Sequence, residues 1–182
     1  IGQIAARLGA PLATVASHGD PLTHNVVALV RGKGRRTLAL AGHFDTVATD
    51  NYHELKSLAC ESLKLKEALI ADLSKRSRSA QEERALEDLL SGNFLPGRGM
   101  LDMKSGLAVG IACAEKFAED EDRSGNLLLV FTPDEERESR GMRSMRNALP
   151  AIARDFDIEI AAAINLDVTS DQGDGQEGRA VY

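Results

Sequence analysis

The sequence predicts an α/β fold: a three-layer sandwich in which helices cover both faces of a mostly parallel sheet. Three observations carry this reading. Residues 126–132 (NLLLVFT) and 160–166 (IAAAINL) are continuous apolar runs bounded by polar residues, the pattern of strands buried on both faces. Residues 104–118 and 141–154 have helical periodicity. The order strand, helix, strand, helix, strand implies parallel strands joined by right-handed crossovers.

Taken in order, residues 1–8 show apolar helical spacing at Ile1, Ile4, Ala5 and Leu8, with Gly9 as the stop. A Pro- and Gly-bearing stretch follows. Residues 25–31 (NVVALVR) read as a strand, 32–36 as a turn and 37–41 (TLALA) as a second strand, close enough to form a hairpin. Residues 51–91 interrupt the α/β alternation. They are charged, Leu65, Leu69 and Leu73 share one helical face, and Ser79 with Glu82 matches a capping box opening a helix through Leu90. This segment reads as a surface helical hairpin inserted between two site loops. Pro150 is expected to break or kink the helix over 141–154.

The chain has 182 residues, enough for one domain with a core. Trp is absent and aromatics are 4%, so that core must be built from Ala, Leu, Val and Ile. With 22 Lys and Arg against 28 Asp and Glu, the net charge of −6 argues against a nucleic-acid groove. No apolar run approaches the roughly 18 residues of a membrane span, and no secretory signal opens the chain. Cys60 and Cys113 fit a reducing compartment. A cytoplasmic protein is expected. Because the chain begins at Ile1 rather than Met, a native N-terminal segment is expected ahead of it.

The chemistry is written at the strand ends. Three strands run into acidic or His-bearing loops: Gly42-His43-Phe44-Asp45, Thr132-Pro133-Asp134-Glu135-Glu136 and Asn165-Leu166-Asp167. Asp102 lies at the start of the helix near Met103. In an open α/β sheet, ligands bind beyond the carboxyl ends of the strands, so these four loops can converge on one crevice. His43, Asp102, Glu136 and Asp167 supply one imidazole and three carboxylates, a mixture suited to zinc, or to cobalt or manganese, better than to calcium. Packed together without a cation, the carboxylates would raise one another's pKa values.

Each piece alone has a plainer reading. A His after a strand is commonly structural, Asp134-Glu135-Glu136 suits a solvated helix N-terminus, and Asp102 suits an N-cap. The argument rests on their joint placement. Competing motifs fail: Gly97-Arg98-Gly99 lacks the third glycine of a dinucleotide fingerprint, and Lys104-Ser105 lacks the glycine of a phosphate loop. There is no G-x-S-x-G elbow for a serine hydrolase. His18, His24 and His53 have no motif around them and read as structural or surface residues.

Three blocks, Gly42-His43-Phe44-Asp45-Thr46-Val47, Gly97-Arg98-Gly99-Met100-Leu101-Asp102-Met103-Lys104 and Thr132-Pro133-Asp134-Glu135-Glu136, resemble the signatures of M20 metallopeptidases. That family includes acetylornithine deacetylase, succinyl-diaminopimelate desuccinylase, aminoacylase and glutamate carboxypeptidase. The resemblance implies two zinc ions bridged by Asp102, with His43 and Asp167 completing the protein ligands of one and Glu136 binding the other. It implies two further residues of catalysis. Glu135 is the general base, and Asp45 acts through the His43 imidazole by fixing its tautomer. The implied reaction is hydrolysis of a peptide or N-acyl amino-acid amide by water activated at zinc.

Three departures qualify the match. No His follows His53, so the family's last metal ligand has no counterpart, and the lid and dimerisation domain is missing. The chain is therefore expected to be the first part of a longer catalytic domain, with any homodimer contacts in the missing lid and with reduced second-metal binding of its own. The helical insertion at 51–91, combined with the HFDTV block, looks most like the arginine-utilisation, RocB-like branch, which implies a small amino-acid-derived substrate in arginine metabolism. The alternatives are a truncated, non-catalytic metal-binding or scaffold domain and, from another class, a nucleotide-binding module, which the missing phosphate loop disfavours.

Overall fold

A computed structural model describes the backbone of Leu12–Ala16 and residues 24–168. The helix expected over residues 1–8 and the position of His18 lie outside the described residues. By contacts the chain divides into two compact units, Thr46–Leu101 and the segments on either side of it.

The larger unit is built on a five-stranded sheet of β1 (Leu12–Ala16), β2 (His24–Val30), β3 (Arg36–His43), β4 (Asn126–Thr132) and β5 (Glu159–Asn165). Their spatial order is β1-β2-β4-β3-β5. β4 and β5 flank β3 and run parallel to it, whereas β1–β2 and β2–β4 are antiparallel. The sheet is thus mixed, with its parallel half where the site loops arise. β1 falls in the Pro- and Gly-bearing stretch to which the sequence assigned no strand.

The hairpin expected between residues 25–31 and 37–41 does not form, because β4 lies between β2 and β3. Asn126, buried at the start of β4, explains how the short connection spans it. Its Nδ2 donates to the carbonyls of Gly34 and Arg35 at 3.1 Å and its Oδ1 accepts from the Gly32 N–H at 3.0 Å. A single amide side chain thereby satisfies three of the connection's backbone groups as it passes over the end of β4, while the Lys33 N–H donates to the Arg123 carbonyl.

Every residue of β4 is buried, as its unbroken apolar run requires. Alternate residues feed two cores, one on each face. Leu127, Leu129 and Phe131 pack with Met103, Leu107 and Ala114 on one side. On the other, Leu128 and Val130 pack with Met145, Ile152 and Ile158. The helices Gly106–Glu119 and Arg140–Asp155 supply these two layers, giving the three-layer sandwich. Leu128 has no solvent exposure, so Leu128→Ala should cost about 2–5 kcal/mol in chemical denaturation.

β5 corrects the expectation of burial on both faces. Ala161, Ala162, Ala163 and Ile164 are all exposed, because β5 is an edge of the sheet among the described residues. Pro150 does not break the helix, since Arg140–Asp155 runs through it. Pro150 and Arg146 are both exposed, so the proline sits on the solvent side of the helix, where a lost backbone hydrogen bond costs least.

The smaller unit holds a short 3-10 segment (Asp50–Leu58) and two helices, α1 (Ser62–Leu73) and α2 (Ala80–Ser91); the helices of the larger unit are α3 (Gly106–Glu119) and α4 (Arg140–Asp155). Leu73, Leu86 and Leu89 form the small core, with Leu69 against it. Both halves of the Ser79–Glu82 capping box are made, and Gly92 closes α2 in the left-handed conformation. Cys60 and Cys113 are free and exposed, and His24 and His53 are exposed. Among the described residues no helix is long and apolar enough to cross a membrane.

Candidate metal centre

Because β3, β4 and β5 are parallel, their carboxyl ends lie at one edge of the sheet, and the backbone keeps the loops beyond them together. Phe44 N–H donates to the Thr132 carbonyl at 3.0 Å, and Leu166 N–H to the Ala41 carbonyl at 2.9 Å. The segment before α3 reaches the same edge through two close approaches. A Cβ on Gly42 would lie 2.4 Å from Met103 Cε, and one on Gly106 would lie 2.1 Å from the Leu166 carbonyl oxygen. Glycine at both positions lets the Asp102 turn press against the ends of β3 and β5. Fully buried Met103 anchors the turn, and its Sδ accepts the His43 N–H at 3.0 Å.

Asp102 is not the N-cap of a regular helix. It sits in an irregular turn, with φ −101° and ψ 99°, ahead of α3. Asp134, Glu135 and Glu136 likewise precede α4 instead of opening it. Asp134 takes a left-handed φ of 64°. Its carboxylate is gripped by the Arg140 guanidinium at 2.7 and 3.1 Å, which holds its pKa below the usual carboxylate range.

One group among the described residues has metal-ligand geometry: His43, Asp102 and Asp167, whose ligand atoms all lie within 4.8 Å of one another. His43 is 2% exposed, and its Nε2 lies 3.0 Å from Asp102 Oδ1 and 3.8 Å from Asp167 Oδ2. Glu136 lies outside this group of three. Burial, followed by the Asp102 charge, raises the Glu136 pKa. A buried imidazole facing several carboxylates is the donor chemistry of a zinc-type site, and a cation there would relieve that repulsion. The residues fit a divalent metal.

Glu135 is half-exposed, with Oε2 3.9 Å from His43 Nε2. It lines an open cleft of about 390 Å³ with Gly42, His43, Thr132 and Asp167. Ser139 and Met142 line it too; sequence reasoning passed over both, because a serine and a methionine beginning a helix carry no chemical signal. Asp45 meets the imidazole chiefly through its main chain. His43 Nδ1 is 3.2 Å from the Asp45 carbonyl oxygen and 3.4 Å from Oδ1. The Asp45 carboxylate also accepts the N–H groups of Glu135 and Glu136, partners that sequence spacing could not reveal.

The uncharacterized protein YqjN of Bacillus subtilis (strain 168) is 34% identical over 158 residues, which is 86% of this chain and 28% of that protein. Protein RocB of the same organism is 32% identical over 161 residues, 87% of this chain and 27% of that protein. The chain therefore spans little more than a quarter of the length of these curated relatives. Among solved structures, an M20 family metallo-carboxypeptidase, Sso-CP2 from Sulfolobus solfataricus, matches in fold with a TM-score of 0.51 at 13% identity, covering 94% of this chain and 31% of that one. The model of peptidase family M20/M25/M40 matches residues 83–179, more than half of the sequence. With the three signature blocks, that match makes the chain a member of the M20/M25/M40 peptidase family.

Proposed function

We propose that this chain forms the metal-binding part of a divalent-metal-dependent hydrolase of amide bonds, acting on peptides or N-acyl amino acids with Glu135 as general base. The observation carrying the reading is the convergence of His43, Asp102 and Asp167 beside Glu135 at the carboxyl ends of parallel strands. Family membership supports the hydrolase class.

His43, Asp102 and Asp167 would hold one ion, and Asp102 with Glu136 would begin the shell of a second. Zinc is the first choice for this donor set, with cobalt or manganese as substitutes. When bound, such an ion supplies Lewis acidity toward the scissile carbonyl and lowers the pKa of water. The protein's own part is proton transfer. Glu135 takes a proton from water as its oxygen adds to the amide carbon, then delivers it to the nitrogen as the C–N bond breaks. The half-exposed position of Glu135 on the open cleft gives substrate and water access. The identity to Protein RocB favours the RocB-like reading of the sequence blocks, an amino-acid-derived amide in arginine metabolism.

Metal analysis and a hydrolysis panel test this reading. The purified protein should take up stoichiometric zinc, and the full-length protein should hydrolyse N-acyl amino acids or dipeptides and lose that activity on chelation. A protein that takes up no divalent ion, or hydrolyses as fast after chelation, overturns it.

A further inference from the structure

We infer that Asp45 is the positioning residue of the acidic loop: its carboxylate clamps the backbone of Glu135 and Glu136 and so fixes where the Glu135 carboxylate stands. The functional consequence rests on the reading of Glu135 as base; the clamp itself does not.

The division of labour within Asp45 is the reason. Oδ1 accepts the Glu135 N–H at 3.1 Å and Oδ2 accepts the Glu136 N–H at 3.2 Å. Toward the imidazole, the main-chain oxygen of Asp45 is 3.2 Å from His43 Nδ1, and Oδ1, already shared with the Glu135 N–H, is at 3.4 Å. Any residue at position 45 supplies that carbonyl, so the imidazole's orientation alone does not demand a carboxylate. Two adjacent N–H groups converging on one side chain do. Only an acidic group offers an acceptor oxygen to each, and charge-assisted bonds of this kind are about twice as strong as neutral ones.

The rest of the loop shows why the clamp matters. Its start is pinned at Asp134 by the Arg140 guanidinium, and the Asp134 carbonyl accepts the Ser139 N–H at 2.6 Å. Between these points the Glu135 side chain is 45% exposed, so packing does little to aim it and the backbone beneath it sets its direction. By holding that backbone from the His43 loop, Asp45 makes the imidazole and the Glu135 carboxylate parts of one unit. Movement of β3's end carries both.

Amide hydrogen exchange at Glu135 and Glu136, followed by NMR on the metal-free protein, tests the clamp. Both N–H groups should be protected in the native chain despite the exposure of Glu135. Asp45→Asn keeps one acceptor oxygen and turns an NH2 toward the other amide, so at least one of the two should exchange about tenfold faster or more. Asp45→Ala should speed both. The His43 ring 15N shifts, which report the tautomer, should stay as in the native chain, because the main-chain acceptor remains. Unchanged exchange in folded Asp45→Asn overturns the clamp, as does a changed tautomer with both amides still protected. If the alanine variant fails to fold, the asparagine variant carries the test. No metal is present in this experiment, so its failure is distinct from a failure of the hydrolase reading, which a lack of zinc uptake by the native protein would show.

Discussion

Glu135→Gln in the full-length protein should lower kcat for amide hydrolysis by about 100- to 10,000-fold, the range expected when a positioned general base is lost. Zinc content should stay the same. The substitution keeps the side chain's shape and the backbone N–H held by Asp45, and removes only the capacity to accept a proton. His43, Asp102 and Asp167 form the group with metal-ligand geometry, and the substitution touches none of them. Steady-state kinetics and metal analysis on the same preparation check both halves. Hydrolysis at the native rate would remove Glu135 from the mechanism, and loss of metal would show that it acts as a ligand.

The second large effect is at Asp102. Its Oδ1 is 3.0 Å from His43 Nε2, and in the proposed site it faces both ions. Asp102→Ala should weaken divalent-ion binding by at least about 100-fold, the upper end of what is lost when a partner one step removed from a metal is deleted. The native protein at about 100 times the dissociation constant gains roughly 2.7 kcal/mol from the bound ion, and Asp102→Ala should lose that gain. Asp102 is partly exposed and lies in an irregular turn outside both cores. The metal-free variant should therefore melt close to the metal-free native chain. Calorimetric titration with zinc and thermal melts with and without it read both quantities.

Much of this was legible in the sequence because burial leaves a local trace. The run NLLLVFT announces a strand covered on both faces, and β4 is that strand. The acidic and His-bearing turns after residues 41, 132 and 165 announce loops at strand ends, and parallel pairing puts those ends at one edge. What failed depends on partners far along the chain. The spacing of residues 25–41 cannot reveal that β4 inserts between the two strands, because that is decided by Asn126 and the sheet as a whole. The IAAAINL run carries the composition of a covered strand, yet cover depends on what packs over it, and β5 is an edge among the described residues. Propensity argues against a proline inside a helix, yet Pro150 is exposed and the helix continues through it.

The site divides in the same way. Ligand types and loop ends could be read from residue identity, whereas relative distance could not. Glu136 stands in the signature block beside Glu135, yet it lies outside the group formed by His43, Asp102 and Asp167. The Asp45 clamp joins residues 90 and 91 positions apart. No periodicity marks such a contact, and only the approach of β3 to β4 brings it about.

The central claim is that a divalent ion sits among His43, Asp102 and Asp167. Anomalous diffraction at the zinc edge from crystals grown with zinc tests it most directly. The account predicts a peak within coordination distance of His43 Nε2 and of a carboxylate oxygen from each of Asp102 and Asp167. A zinc peak elsewhere on the protein, with these three side chains keeping the hydrogen bonds described above and no ion between them, would contradict it.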